Sequence, residues 1–386
     1  MHFKQRSAFF FEMTIKEITK YLEDWAPKGI AWQKDNVGLQ VGDPEIKIKN
    51  ILLSLDLQEE VIENAIKENC NLIITHHPLI YYPLRNLDFS KNRTARLVER
   101  LFKNQIVLYS AHTNLDFTKD GVSYQLAKRL NLKKVRFLKN LSDNQFKLAV
   151  FVPVSHINKV AEAIHQSGGG IVGEYSHCSF RTQGTGTFKG SDESNPAIGK
   201  KGVVESVEEV KLEILVDEWK INNVIKAMKK AHPYEVVAYD IFPLKNDNVN
   251  FGMGAIGELS NPMDTKDFLA LVSSKLKAAT LKYAKSNKKK IKFVAVCGGS
   301  CGELLDDAIN QNADAFVTAD LKYHTFQDAG SKILLIDAGH YETELPILDE
   351  IKNRLEIFLT ENKKIKILKF KGSTNPIVFY NKSGVK

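Results

Sequence analysis

The amino-acid sequence predicts an α/β protein in which two α/β halves form one core, interrupted by an inserted α+β domain. Three observations support this fold class. Short apolar runs alternate with helix-like segments in the first part of the chain, and the same alternation returns near its end. The segment between them, residues 142–247, follows a different pattern. A chain of 386 residues is also long for one hydrophobic core, so more than one domain is expected.

The first half of the core, residues 13–141, contains three short strands that are apolar along their whole length. The strands are expected at residues 51–56, 71–75 and 106–110, and helices at residues 15–25, 59–68 and 94–104. Such strands, separated by helices, are typical of a parallel sheet covered on both faces. Residues 1–12 precede this pattern, and we interpret them as an extension or a loose tail.

The second half of the core, residues 248–386, repeats this alternation. Its strands are expected at residues 291–296, 315–318 and 333–336, and its helices at residues 303–311, 324–329 and 343–360. Because the two halves share one pattern, we expect them to form a single core whose chain is interrupted by another domain.

The interrupting segment, residues 142–247, is predicted to be an α+β domain. Strands are expected at residues 146–153, 173–180, 207–216 and 235–242, with one helix after Ser155, another at residues 218–231 and a glycine- and serine-rich loop at residues 184–202. The resulting order, β-α-β-β-α-β, is that of the ferredoxin-like unit. Such a domain is tolerated as an insertion when its two ends lie together on the surface.

Composition excludes several classes of protein. No stretch approaches the roughly 18 apolar residues that a membrane-spanning helix needs, so no membrane contact is expected. Four cysteines are few and scattered, which argues against a disulfide framework and favours the cytoplasm. We interpret Cys297 and Cys301 as parts of a small-residue turn rather than half of a zinc site, because no second pair has suitable spacing.

The formal net charge of +8 raises the question of nucleic-acid binding. The excess is concentrated in lysine runs at residues 285–292 and 363–371, and a single aromatic residue, Phe370, does not make the interleaved pattern of a base-stacking surface. Lysine-rich loops and edge strands mostly keep sheet edges from pairing. We therefore do not expect nucleic acid to be a partner.

Potential metal ligands follow three of the predicted strands. His76 and His77 come directly after the second strand, Asp116 lies shortly after the third, and His340 and Glu344 follow the last. Ligands of open parallel sheets bind beyond the carboxyl ends of the strands. Each motif alone is more often structural: His-His-Pro is usually a turn, an aspartate after a strand is usually a helix cap, and a histidine four residues before a glutamate is a common spacing. Their coincidence at three strand ends favours a metal site.

The spacing of these residues predicts two ions rather than one. Adjacent side chains of an extended segment point in opposite directions, so His76 and His77 are expected to serve different ions. His340 and Glu344 are four residues apart and converge if a helix begins there. A carboxylate can bridge two ions, and Glu344 is the candidate for that role. Imidazole and carboxylate without thiolate suit divalent zinc, iron or manganese.

Three segments carry a resemblance to a known family. THHPLI (75–80), AHTNLD (111–116) and DAGHYETE (337–344) look like signature segments of the NIF-three-like family, whose bacterial members are often labelled GTP cyclohydrolase 1 type 2 homologues. The likeness extends to residues 35–42, 297–300, 320–324 and 375–377. The inserted domain, with HPYE at residues 232–235, resembles the PII-like domain of the family's long bacterial form.

The resemblance implies a dinuclear site made of the five residues named above and a ring-shaped homohexamer. His112 matches a further position of the family's motifs. Two residues depart from the family pattern near the expected cleft: Ala319 and Cys301 stand where glycine is more usual.

Two functions are consistent with these observations. The first is a metal-dependent hydrolase that uses metal-activated water on a nucleotide-like or other small-molecule substrate, with His112 or His324 shuttling the proton. The resemblance proposes GTP cyclohydrolase activity, although the sequence contains no Walker-type loop. The alternative is a non-catalytic metal-binding or regulatory hexameric scaffold, in which the two histidines are helix caps or hydrogen-bond partners of the ligands.

Overall fold

The computed structural model describes residues 13–362 and 364–380, so the predicted extension at residues 1–12 lies outside the described part of the chain. The chain forms two compact units. One is Asn140–Gly252, which we call the insert unit, and the other combines the segments before and after it, which we call the core unit. The two are described separately below.

The described residues contain alternating strands and helices over most of their length. The strands are β1 Gly38–Val41, β2 Ile51–Ser54, β3 Leu72–Thr75, β4 Val107–Ser110, β5 Lys133–Ser142, β6 Gln145–Pro153, β7 Phe180–Lys189, β8 Val204–Asp217, β9 Tyr239–Leu244, β10 Asp247–Asp264, β11 Lys282–Tyr283, β12 Lys290–Ser300, β13 Ala315–Ala319, β14 Leu334–Asp337 and β15 Ile367–Lys369. The helices are α1 Ile15–Trp25, α2 Glu59–Lys67, α3 Arg93–Lys103, α4 Thr113–Asp116, α5 Val122–Arg129, α6 Ile157–Gln166, α7 Ile221–Ala231, α8 Thr265–Leu276, α9 Leu305–Asn310, α10 Tyr323–Ala329, α11 His340–Glu344 and α12 Ile347–Phe358.

The core unit contains two mixed sheets. In the first, the strand order is β1-β4-β3-β2-β15, and all of these strands are parallel except β1. In the second, the order is β11-β14-β13-β12-β10-β5, with β12, β13 and β14 parallel. Every residue of β2, β3, β4, β13 and β14 is buried, as the continuous apolar runs predict. The α/β fold class of the core is confirmed.

The insert unit is an antiparallel four-stranded sheet with two helices. Its strand order is β7-β8-β6-β9, and its elements follow one another as β-α-β-β-α-β. The strand predicted at residues 173–180 is wrong: β7 starts only at Phe180 and runs through residues that we expected to form a loop. Gly186 has a packing reason, since a Cβ atom there would lie 2.2 Å from Oε2 of Glu209.

The helix predicted at residues 343–360 is two helices, α11 and α12. Pro346 lies between them, and proline has no backbone N–H to continue the helical hydrogen bonds. The short helix α11 begins at His340, directly after Gly339, whose φ of 90° few other residues adopt. His340 and Glu344 therefore occupy the first and last positions of one helical turn and project from the same face.

The cysteines near the end of β12 differ from the prediction. Cys297 and Cys301 form a disulfide across Cα atoms 6.1 Å apart, rather than an unbonded turn. The sequence did not indicate this bond, since a spacing of four residues is equally compatible with a turn. Cys70 and Cys178 are free. Among residues 13–362 and 364–380, no helix is both long enough and apolar enough to span a bilayer.

Candidate metal centre

The five predicted ligands lie together at the carboxyl ends of parallel strands of the core unit. His76 and His77 follow β3, Asp116 ends the short helix after β4, and His340 and Glu344 belong to α11 after β14. Ligand atoms of His77, His340 and Glu344 all lie within 4.8 Å of one another. The strand-end rule that predicted their proximity is a consequence of parallel pairing, which aligns these ends at one edge.

The separations between ligand atoms suit metal coordination. Glu344 Oε2 lies 3.0 Å from His77 Nε2, and Glu344 Oε1 lies 3.0 Å from His340 Nε2. His76 Nε2 lies 3.6 Å from both Glu344 Oε1 and Asp116 Oδ1. Ligands bound at roughly 2.0–2.2 Å to one ion stand roughly 3.0–3.5 Å apart, depending on the geometry. The observed atoms are therefore spaced as neighbours around an ion.

Hydrogen bonds on the far side of each imidazole ring set its orientation. Each Nδ1 atom lies 2.7–2.9 Å from an oxygen acceptor. The pairs are His76 with the Ala111 carbonyl oxygen, and His77, His112 and His340 with the carboxylates of Asp56, Asp35 and Asp320 in that order. A carbonyl or ionised carboxylate oxygen can only accept, so each Nδ1–H donates and the neutral ring keeps its lone pair on Nε2. This arrangement is the one that prepares histidine to bind a metal ion.

Three buried atoms of the cluster make no hydrogen bond of suitable geometry among the described residues, although one of them, Glu344 Oε2, lies 3.0 Å from His77 Nε2. They are His76 Nε2, Asp116 Oδ1 and Glu344 Oε2. Most buried polar atoms in folded proteins are paired, so such a concentration requires an explanation. Divalent cations bound beside these atoms would satisfy all three, and the residues present therefore fit a metal site.

The carboxylates of the cluster titrate in opposite directions. Burial raises the pKa of Asp116 well above its usual value, and the negative charge of Glu344 adds to this effect. Burial also acts to raise the pKa of Glu344, but the neighbouring His76, together with His340 and His77, holds it well below its usual value. In the metal-free protein, Glu344 is thus the anion around which the histidines gather.

Two histidines carry the compensating positive charge. Burial lowers the pKa of His77, but hydrogen bonds to Asp56 and Glu344 outweigh it and raise the pKa to about 10. The same opposition raises the pKa of His340 to about 9, through Glu344 and Asp320. A divalent ion binding to Nε2 of these rings must displace their protons.

Metal binding should therefore release protons near neutral pH. Below about pH 9 both His77 and His340 are protonated in the metal-free protein, so the apparent metal affinity should rise with pH and level off above about pH 10. Calorimetric titration with Zn²⁺ in buffers of different ionisation enthalpy measures the protons released. Uptake without proton release near neutral pH would contradict the assignment of these two histidines as ligands.

Comparison with known proteins identifies the family. Residues 13–376 match the DUF34/NIF3 (NGG1p interacting factor 3) family. The chain belongs to this family. It is 38% identical over 348 residues to the "GTP cyclohydrolase 1 type 2 homolog" of Halalkalibacterium halodurans, covering 90% of this chain and 93% of that protein. The Bacillus subtilis protein of the same name is 37% identical over 368 residues, covering 94% and 98% of the two chains.

A solved structure shows the same fold. The crystal structure of a Bacillus cereus protein related to NIF3 aligns with a TM-score of 0.80 at 34% identity, covering 96% of this chain and all of that one. The family resemblance read from the sequence motifs is confirmed.

The histidines predicted to shuttle protons lie in different surroundings. The His112 ring lies 5.3 Å from the His76 ring and 5.5 Å from the His77 ring, and His112 lines the small cavity beside the cluster. His324 is exposed on α10, where its Nδ1 lies 3.2 Å from the side-chain oxygen of Gln327. His112 therefore lies beside the cluster of predicted ligands in this family member. His324 contacts Gln327 instead, so a role for His324 in proton transfer stays a prediction.

Three aspartates that orient the histidines were missed as functional residues. Asp56 and Asp320 follow β2 and β13, at the same edge of parallel strands as the predicted ligands. The same strand-end rule that located the predicted ligands could therefore have identified these two aspartates from the sequence. Asp35 lies outside any such strand end and contacts His112 across 77 residues of sequence, so the pattern of strands could not have found it.

Replacing Asp56 by Asn should weaken metal binding. Asp56 accepts from His77 at 2.8 Å and, through its second oxygen, from Thr374 at 2.9 Å, so the change disturbs the tautomer and position of His77. Loss of such a partner typically costs 10- to 100-fold in metal affinity. Competition with a chromophoric chelator measures the affinity, and Asp24→Asn, at an exposed aspartate, is the control. Equal affinities for both variants would show that Asp56 does not position His77.

Proposed function

We propose that this family member is a metal-dependent hydrolase that holds two divalent ions, zinc, iron or manganese, in the cleft of the core unit. The observation that carries the proposal is the set of three buried, unpaired ligand atoms on His76, Asp116 and Glu344. Structural ion pairs usually hydrogen-bond their own members, whereas these three atoms make no hydrogen bond of suitable geometry among the described residues. A binding site for cations accounts for them.

We assign the predicted ligands to two ions from their contacts. His76 and Asp116 would hold one ion, and His77 and His340 would hold the other. Glu344 lies between the two sets, because its Oε1 faces His76 and His340 while its Oε2 faces His77. A mixed nitrogen and oxygen set with no thiolate suits zinc, iron and manganese.

Such ions supply Lewis acidity and lower the pKa of a water molecule they hold. The residues of the chain contribute position and proton transfer. A cavity of about 130 Å³ adjoins the ligands and is bordered by Trp32 and Phe117, so a small molecule can reach them. Its size and apolar wall favour a small or partly inserted substrate over a macromolecule.

His112 is the residue proposed to move the proton. Asp35 accepts from its Nδ1, which leaves Nε2 facing the cavity as an acceptor. Burial acts to raise the pKa of Asp35, but hydrogen bonds from His112 and Thr113 lower it to about 2, so the carboxylate stays ionised. An imidazole held in this way by a carboxylate has the tautomer and orientation that general acid–base catalysis needs.

The proposal is tested with protein loaded separately with each metal. GTP is the first substrate because the relatives carry the name GTP cyclohydrolase 1 type 2 homolog, and formate is the product to assay. A panel of nucleotides and phosphoesters follows. Hydrolysis that stops with a chelator and returns with metal is expected. Full metal occupancy with no turnover on the whole panel would reject the hydrolase and favour a scaffold.

Replacing His112 by Gln should lower the turnover number while both ions remain bound. General acid–base catalysis contributes on the order of 10²- to 10⁴-fold, and a loss in this range is expected. His324→Gln is the matched control, since that histidine is exposed on α10 and is expected to leave turnover unchanged. A loss of metal in the His112 variant would instead make this residue a ligand, and a loss of turnover only in the His324 variant would reverse the assignment.

Self-association into a homohexamer remains part of the proposal. Light scattering of the full-length protein tests it directly, since a monomer or a dimer in solution would reject it.

A further inference from the structure

The disulfide between Cys297 and Cys301 borders the candidate metal centre without belonging to it. Both cysteines line the same 130 Å³ cavity as His340 and Glu344. Neither is needed as a ligand, since the donor set contains only nitrogen and oxygen atoms. The bond therefore has no part in the proposed hydrolysis and requires a separate account.

The five-residue segment enclosed by the disulfide, residues 297–301, supports Glu344. Its middle residue, Gly299, has a φ of 69°, and a Cβ atom there would lie 2.4 Å from Glu344 Oε1 and 3.4 Å from His340 Nε2. The backbone of Gly299 thus lies directly against the carboxylate proposed to bridge the ions. Only glycine can approach so closely without displacing it.

Hydrogen bonds join the same glycine to two further elements. Its N–H donates to Thr343 Oγ1 at 3.1 Å, and its carbonyl oxygen accepts from Thr318 Oγ1 at 2.9 Å. Thr343 precedes Glu344 in α11, so a displacement of Gly299 would move the helix that carries two ligands. The covalent ring limits such displacements, because it fixes both ends of the segment to each other.

The two sulfur atoms differ in their exposure to solvent. Cys297 is 4% exposed, whereas Cys301 is partly exposed at the start of the turn that follows β12. A thiolate arriving from solvent therefore reaches Cys301 first. Access to the attacked sulfur is one of the factors that set the rate of thiol–disulfide exchange.

We propose that Cys297 and Cys301 are a reversible redox pair, exchanging with small-molecule thiols, and that the disulfide state retains the metal ions more firmly than the dithiol state. In the first step a thiolate forms a mixed disulfide with Cys301 and the Cys297 sulfur leaves as a thiolate. A second thiolate then attacks the mixed disulfide, releasing the small-molecule disulfide and the Cys301 thiolate. Two electrons pass from the two small thiols to the protein pair.

The exchange is tested on full-length protein in mixtures of reduced and oxidised glutathione. Free thiols are blocked with N-ethylmaleimide, and the peptide containing both cysteines is weighed without reduction. Two added maleimides are expected in reducing mixtures and none in oxidising mixtures, reversibly. Two added maleimides in every mixture, or none in any, would overturn the redox pair. Cys70 is buried and Cys178 lies in the insert unit, so both serve as internal references.

The effect on the ions rests on the proposed metal centre and is measured separately. Zinc-loaded protein is mixed with a chromophoric chelator, and the transfer of zinc to the chelator is measured. Transfer is expected to be about tenfold faster in the dithiol state, by analogy with the roughly 10- to 100-fold effect of losing a residue that supports a metal ligand. The double variant Cys297→Ala, Cys301→Ala should transfer zinc at the faster rate in every mixture, whereas Cys178→Ala should keep the redox response. Equal rates in both states would overturn the coupling. Protein that binds no zinc in either state would reject the metal centre as well, while the maleimide result still decides the exchange.

Discussion

Replacing Glu344 by Gln should reduce the bound metal from two ions to about one per chain. Glu344 is 3% exposed, and its two oxygens face the ligand atoms of three histidines. Glutamine has the same shape, but it is neutral, and only one of its two terminal atoms can accept. It therefore cannot bridge two cations. After the replacement, the ion that stays bound should be the one whose remaining ligands lie closest to one another.

The measurement is elemental analysis of the purified variant after dialysis against metal-free buffer. Glu342→Gln is the matched control, since this carboxylate lies two residues away in the same short helix and accepts from Asn375 instead. Circular dichroism verifies that both variants keep their secondary structure. Retention of two ions by the Glu344 variant would defeat the bridging assignment, and loss from the Glu342 variant alone would place the site elsewhere.

Replacing His77 by Ala should have an effect on metal content at least as large. His77 belongs to both sets of neighbouring ligand atoms, with His76 and His112 on one side and with His340 and Glu344 on the other. Its loss removes one predicted ligand outright, and this ligand is the one residue that both sets share. We expect fewer than one ion per chain. The loss of metal affinity should exceed the roughly 10- to 100-fold that is typical when a hydrogen-bond partner of a ligand is removed.

The same elemental analysis and chelator competition measure this variant. His156→Ala is the control, because this histidine lies in the insert unit, beside Ser155, and has no expected role in metal binding. The variant also leaves Asp56 without its imidazole partner, so thermal unfolding of the metal-free protein should occur at a lower temperature. Two ions bound to the His77 variant would contradict the proposed centre.

The core and the proximity of the five predicted ligands could be anticipated from the sequence because they depend on short-range patterns and one topological rule. Continuous apolar runs identify buried parallel strands, and parallel pairing places their carboxyl ends at one edge. His76, His77 and Asp116 therefore had to lie near one another once the strands were recognised. His340 and Glu344 required one further step, the start of a helix at His340, which the glycine before it permits.

The features that escaped prediction depend on the path of the chain in three dimensions. The alternation of glycine with threonine around Gly186 looks like a loop until β8 is known to place Glu209 against it. The bond between Cys297 and Cys301 requires a chain direction at the end of β12 that no spacing reveals. Likewise, the bond from His112 to Asp35 exists because the loop before β1 returns to the cleft. Side-chain orientation, rather than residue type, decides each of these cases.

The most direct test of a two-ion centre is anomalous diffraction from crystals of the zinc-loaded protein, recorded at the zinc absorption edge. Two peaks per chain are expected, roughly 3.5–4 Å apart as in other two-metal sites, one beside His76 and Asp116 and the other beside His77 and His340. Glu344 should lie between the peaks. A single peak, or peaks bound only by residues outside this cluster, would contradict a two-ion centre.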